Sequence, residues 1–179
     1  MSRPKAPLPA KLVIRFLFID PDVRTKALRV LEGYFGQIDF LTAPGHFPYT
    51  DYYDREMGNG LRRLTAAFLD LVQPDSLPDI KLKTNALEDE LSREGNRRIN
   101  IDPGILNEER FVLATGKNFT HRIYLRDGIY ADLTLIYQKG DFRPLPWTYP
   151  DYQEPEFLHY LRVLRKKLKF QREGVLPRG

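Results

Sequence analysis

The dipeptide Asp127-Gly128, set between two alternating strand-like runs, constrains this chain more than any other feature. A two-residue type I′ turn needs positive φ at both central residues, and Asp-Gly is among the few pairs that accept it. The runs His121 to Arg126 and Ile129 to Gln138 therefore read as one β-hairpin. The turn length also sets a register: Arg126 opposite Ile129, Ile123 opposite Asp132, and His121 opposite Thr134. His121 and Asp132 are then expected on one face as diagonal neighbours, roughly 7–8 Å apart at the backbone.

Upstream of the hairpin the chain alternates strand and helix signals. Residues 1–10 are proline-rich without periodicity and read as a flexible arm. Leu12 to Ile19 reads as a buried strand. Asp20 then supplies a helix N-cap with Pro21 in the first turn, and Val23, Ala27, Val30, Leu31 and Tyr34 recur at helical spacing until Gly36. Ile38 to Ala43 and Leu64 to Val72 are strand candidates on either side of an aromatic stretch, HFPYTDYYDREMG. A second helix runs from about Leu77 to Arg93, with Ile80, Leu87 and Leu91 as its core stripe. Arg98 to Asp102 reads as a strand stopped by Pro103-Gly104, and Phe111 to Thr115 as another. After the hairpin, a last amphipathic helix covers about Glu154 to Phe170 with Phe157, Leu161, Leu164 and Leu168 inward.

The order strand, helix, strand, strand, helix, strand is that of a ferredoxin-like split βαβ core. Here it is extended by a β-hairpin and a C-terminal amphipathic helix. The expectation is one α+β domain over residues 11–172, with 173–179 a flexible tail. At 179 residues such a chain can bury roughly 70% of its unfolded surface, so no covalent staple is required.

Composition removes several classes of function. With no cysteine there is no disulfide, thiolate nucleophile or cysteine-ligated metal. The longest apolar run, Leu12 to Ile19, is broken by Arg15 and is too short to cross a bilayer, and no leader pattern precedes it. The cytoplasm is the default compartment, and no membrane partner is expected. The net charge of +4 is local: residues 162–178 carry seven Lys or Arg against one Glu, leaving a net −2 for the rest. An electrostatic pull on RNA or a protein partner would come from Arg162, Arg165, Lys166 and Lys169 on the last helix. A solvated face complementing the helix dipole explains the same residues. Tyr49, Tyr52 and Tyr53 could line a pocket or stack bases, or serve as rim packing.

The polar residues between Asn100 and Thr134 exceed what a core needs. A carboxylate beside an imidazole fixes its tautomer and raises its basicity, which makes His121 an acid-base candidate and Asp132 its orienter. A His-Asp pair that only holds structure reads the same way. The loop Thr115 to Thr120 leads into His121, and its Lys117, Asn118 and Thr120, with Thr134 across the hairpin, offer donors to a phosphate or carboxylate. Asn100 and Asp102 share the face opposite Ile99 and Ile101, where a site or ordinary turn chemistry before Pro-Gly would use them.

Sharper motifs are missing. There is no G-x-x-x-x-G-K-[ST] loop, no H-E-x-x-H spacing among His46, His121 and His159, and no paired H-x-[ST] tripeptides. The aromatic-rich strand octapeptide of RNA-recognition domains is missing too. No metal site is expected, and no cofactor can be named.

The segments YTDYYDREMG (49–58), IKLKTNALE (80–88), RRINIDPGIL (97–106), LATGKNFTHRIYLRDGIYADLTLIY (113–137) and PLPWTYPDY (144–152) carry a resemblance over nearly the whole chain. In them the chain resembles the bacterial family filed as domain of unknown function 4416. Some members of that family are labelled GTP-binding proteins, but Gly116-Lys117 is followed here by Asn118 rather than Ser or Thr. The resemblance implies no activity, cofactor or catalytic residue. Two expectations stand side by side. One is a small enzyme or binding protein for a phosphate- or carboxylate-bearing ligand, a nucleotide included, near residues 115–134. The other is a non-catalytic module contacting RNA or a protein through the basic helix.

Overall fold

A computed structural model describes residues 1–50 and 52–174, and all side chains among them except those of Asp54 and Arg55. In chain order the elements are β1 (Ala10–Phe18), α1 (Pro21–Phe35), β2 (Ile38–Leu41), β3 (Gly45–His46), α2 (Asp54–Met57) and β4 (Arg62–Val72). They continue with α3 (Leu77–Leu91), β5 (Ile99–Leu106), β6 (Arg110–Thr115), β7 (Arg122–Arg126), β8 (Ile129–Gln138), β9 (Asp141–Pro144) and α4 (Pro155–Glu173). The chain is a mixed α/β fold built on one large sheet of order β2-β4-β1-β5-β6-β8-β7, with β3 also on β4 and β9 also on β8. All of its pairings are antiparallel.

The sheet is covered on both faces, which explains why β1 is buried at every position. Alternation splits its side chains between two cores. Leu12, Ile14, Phe16 and Phe18 join Ile99 and Ile101 under α1 and α3. Val13 faces the other way and joins Leu106, Phe111, Leu113 and Leu135 under α4, whose Phe157, Leu161 and Leu164 close that core. The Asp20 carboxylate accepts from the Asp22 amide and starts α1 as expected.

Three local expectations need correction. The strand beginning near Arg98 does not stop at Pro103-Gly104 but continues to Leu106 as β5. The proline is tolerated because β6 pairs with β5 only from Gly104 onward, so at Pro103 that side of β5 is an edge. Gly104 is required there, since a Cβ would lie 2.6 Å from the Phe111 ring and 2.9 Å from the Val112 carbonyl oxygen. The hairpin turn forms as read, with φ of 53° at Asp127 and 76° at Gly128. Leu125, however, is bulged out between Tyr124 and Arg126, and this moves the register by one. Arg122, not Ile123, stands opposite Asp132, and His121 falls outside the strand rather than opposite Thr134. The basic helix runs on to Glu173, so of the expected tail residues 175–179 lie outside the described residues. At the other end of the chain residues 1–9 form no regular element, and the Pro9 carbonyl accepts from Arg172 at 2.8 Å.

Candidate functional site

The short pairing between β5 and β6 leaves a gap in the sheet. Among the described residues Ile99 to Pro103 have no strand partner on that side, yet a buried strand edge must satisfy its peptide groups. Two side chains of α3 do so for Ile101. Glu88 accepts from the Ile101 amide at 2.5 Å, and Lys81 donates to the Ile101 carbonyl at 3.0 Å. Lys81 and Glu88 lie seven residues apart, beside the apolar stripe of α3, and both are buried.

A cavity of about 740 Å³ opens over this gap on the face that carries α4. Its walls hold six aromatic residues, Phe47, Tyr49, Tyr52 and Tyr53 from one segment and Tyr149 and Tyr152 from another. Its floor carries Arg15 from β1, Asn100 and Asp102 from β5, and Lys81 and Glu88 reaching through from α3. Gly116, Lys117, Arg122 and Asp132 line the end formed by β6, β7 and β8.

Most charges here are already paired. Arg15 bonds the Asp151 carboxylate at 3.0 Å and carbonyl at 2.8 Å, and lies 4.6 Å from the ring centroid of Tyr152 and 4.5 Å from that of Phe157. Arg97 clasps Glu56 through Nε at 2.8 Å and Nη2 at 2.7 Å, a two-point contact that ties α2 over the cavity. Lys117 differs. Its ammonium sits 4.9 Å over the Tyr52 ring and 3.4 Å from that hydroxyl, with no carboxylate within 4.0 Å among the described residues. Burial pushes the Glu88 carboxyl up to about 7, with the Lys81 charge opposing and the Asp102 charge adding to the rise. Burial likewise raises the Asp151 carboxyl and the Tyr53 and Tyr152 hydroxyls.

The residues singled out by sequence divide. Asn100, Asp102, Lys117 and Asp132 line the cavity, while His121, Asn118, Thr120 and Thr134 do not. Asn118 and Thr120 point no donor into it and are exposed, and the Lys117 amide is taken by Thr115 Oγ1 at 3.2 Å. Thr134 is buried and donates to the Asp132 carboxylate at 3.3 Å. His121 meets Asp132 at 3.2 Å in spite of the shifted register, because a turn from Phe119 to Arg122, closed by a 3.0 Å hydrogen bond, carries it there. Arg122 meets the same oxygen at 2.9 Å from directly across the strand pair. The His121 ring stacks on Trp147 at 4.9 Å and its side chain is 8% exposed, so it sits behind Asp132 rather than in the cavity. His121→Asn is therefore expected to destabilise the fold by about 1–3 kcal/mol, the cost of losing a packed ring and a buried partner. Urea denaturation checks this, and a change below about 0.5 kcal/mol would show that the stack carries no weight.

The basic face of α4 is largely occupied. Arg162 pairs with Asp141 at 2.8 Å, Arg165 donates to the Glu108 carbonyl at 2.6 Å and lies over Tyr137, and Lys169 is 3.7 Å from Glu108. Lys166 is exposed.

Sequence reading missed Arg15, Lys81, Glu88 and Arg97 as cavity residues. The available signals were a Lys and a Glu at heptad spacing on a buried helix and Arg15 inside an apolar strand. Among the described residues no group of three or more His, Asp or Glu side chains converges as a metal site, and no helix is long and apolar enough to cross a membrane. No curated protein and no solved structure matches the chain. The family model described as domain of unknown function (DUF4416) matches residues 8–168, and the chain, with its cavity over the split between β5 and β6, belongs to that family.

Proposed function

We propose that the cavity binds a small phosphate- or carboxylate-bearing molecule whose anionic group sits against Lys117 and Arg122. The observation that carries this reading is the Lys117 ammonium on the cavity wall. The other lining cations each face a carboxylate, whereas this one rests on an aromatic ring. Arg122 adds a planar donor, held by Asp132, by the Lys117 carbonyl at 3.1 Å and by the Tyr149 hydroxyl at 3.1 Å. Aromatic walls with a few fixed polar groups are the usual make-up of a small-molecule site, and the volume falls within the ordinary range for one. The order β2-β4-β1-β5, with α1 and α3 packed on one face, supports reading this half of the sheet as a ferredoxin-like split βαβ core. The site then lies where the core meets its hairpin extension. The reading needs no motion of α4, whose cations are mostly held by the body of the protein.

A thermal-shift screen with nucleotides, sugar phosphates and metabolite acids tests it. A ligand at 100 times its dissociation constant adds about 2.7 kcal/mol of stability. Lys117→Ala should abolish the shift produced by a hit while leaving the free protein within about 0.5 kcal/mol of wild type, because Lys117 is exposed. A screen with no hit, or a hit indifferent to Lys117→Ala, would refute the assignment.

A further inference from the structure

We propose that Asp102 reads the end of the ligand opposite its anionic group, so that the molecule taken by this cavity carries a hydroxyl or ammonium donor as well as a phosphate or carboxylate. This rests on the cavity reading above and narrows it to a class of compound.

Asp102 stands on β5 directly opposite Arg15 of β1, in the middle of the sheet. Its Oδ2 accepts from Asn100 Nδ2 at 2.6 Å, and Asn100 Oδ1 in turn accepts from Arg97 Nη1 at 3.1 Å. The carboxylate is therefore held in place by a relay that ends on a guanidinium. Its Oδ1 is filled by no hydrogen bond among the described residues. Among the described residues the one cation within 4.0 Å is Lys81 at 3.6 Å, whose ammonium donates to the Ile101 carbonyl and makes no hydrogen bond to Asp102 there. With a side chain 35% exposed on the cavity floor, Asp102 presents a fixed, open acceptor oxygen.

An ionised carboxylate only accepts, so it selects a group bearing O–H or N–H and rejects a second anion. Glu88 and Asp151 line the same end of the cavity, and after burial the charge on Asp102 is among the causes that hold both carboxyls up. Lys117 and Arg122 at the other end outweigh Asp132. The loop end is thus cationic, whereas at the β5 end Arg15, Lys81 and Arg97 offset the carboxylates and Asp102 Oδ1 is the open acceptor; an aromatic or otherwise flat spacer would bridge the two between the tyrosine walls.

Three size-matched probes decide the matter by calorimetry on the full chain: 4-ethylphenyl phosphate, 4-(2-hydroxyethyl)phenyl phosphate and 4-(2-aminoethyl)phenyl phosphate. They differ only in carrying no donor, a hydroxyl or an ammonium. The wild-type chain should bind at least one donor-bearing probe about tenfold or more tighter than the ethyl compound, the margin of a charge-assisted hydrogen bond. The better of the two identifies the donor. D102N should bring that probe to within about twofold of the ethyl compound. Equal binding of all three to wild type, or a preference that survives D102N, overturns this inference and leaves the anion site standing. Binding of none overturns it as well, and the cavity reading falls with it only if the wider screen is also silent.

Discussion

A chain ending at Gln153 is expected not to fold: circular dichroism should show no cooperative thermal transition, and size exclusion should show an expanded or aggregated species. The truncation removes α4, whose Phe157, Leu161, Leu164 and Leu168 are each 1% exposed or less. Burying four such side chains contributes about 6–12 kcal/mol, as much as the whole net stability of a typical domain. The loss does not stop there. Phe111, Leu113 and Leu135 would face water, and Arg15 would lose one of the two rings that enclose it. Lys11, fully buried, would lose its Gln171 partner, and Asp39 would lose Lys167. A truncated chain that stayed monomeric with an unchanged melting temperature would show that α4 is a detachable element.

The second large effect is a fall in stability with rising pH, traceable to Glu88. Burial pushes its carboxyl up to about 7, whereas in the unfolded chain it titrates near 4.5. Between those values the folded state holds a proton that the unfolded state has released, so stability decreases as pH rises through the window. The contribution is fully present below about 4.5 and lost once pH passes about 7, a change of about 3 kcal/mol. The acidic groups held down by arginines, such as Glu56 beside Arg97, act in the opposite sense and at lower pH. The comparison with Glu88→Gln isolates the Glu88 part. Its amide oxygen can still accept from Ile101, but nothing titrates, so the wild-type advantage at pH 4.5 should shrink by pH 8. Parallel stability curves for the two proteins between pH 4.5 and 8 would mean that Glu88 remains ionised in the fold.

The cavity also explains why its two ends respond differently to substitution. Lys117 is solvent-facing and replaceable at little cost to the fold, whereas Lys81 and Glu88 stand in for a missing strand. Removing either leaves an Ile101 peptide group buried and unpaired, at about 1–3 kcal/mol. Ligand binding is therefore best probed at Lys117 and Asp102.

Local chemistry by itself determined much of this protein. The Asp20-Pro21 start of α1, the Asp127-Gly128 turn and the inward stripe of α4 follow from capping, positive φ and helical periodicity, which act within a few residues. The polar set around Asn100, Asp102, Lys117 and Asp132 could be picked out for the same reason, since each is more polar than its strand or loop requires. What local chemistry does not encode is where partner strands stop pairing. β5 outlasts its proline only because β6 pairs from Gly104 onward, and the bulge at Leu125 exchanges Arg122 for Ile123 opposite Asp132. The same long-range geometry opens the gap that Lys81 and Glu88 fill, folds the tyrosine segment over it and turns His121 to the back of Asp132. Such features depend on contacts between residues far apart in the chain, so only the tertiary structure decides them.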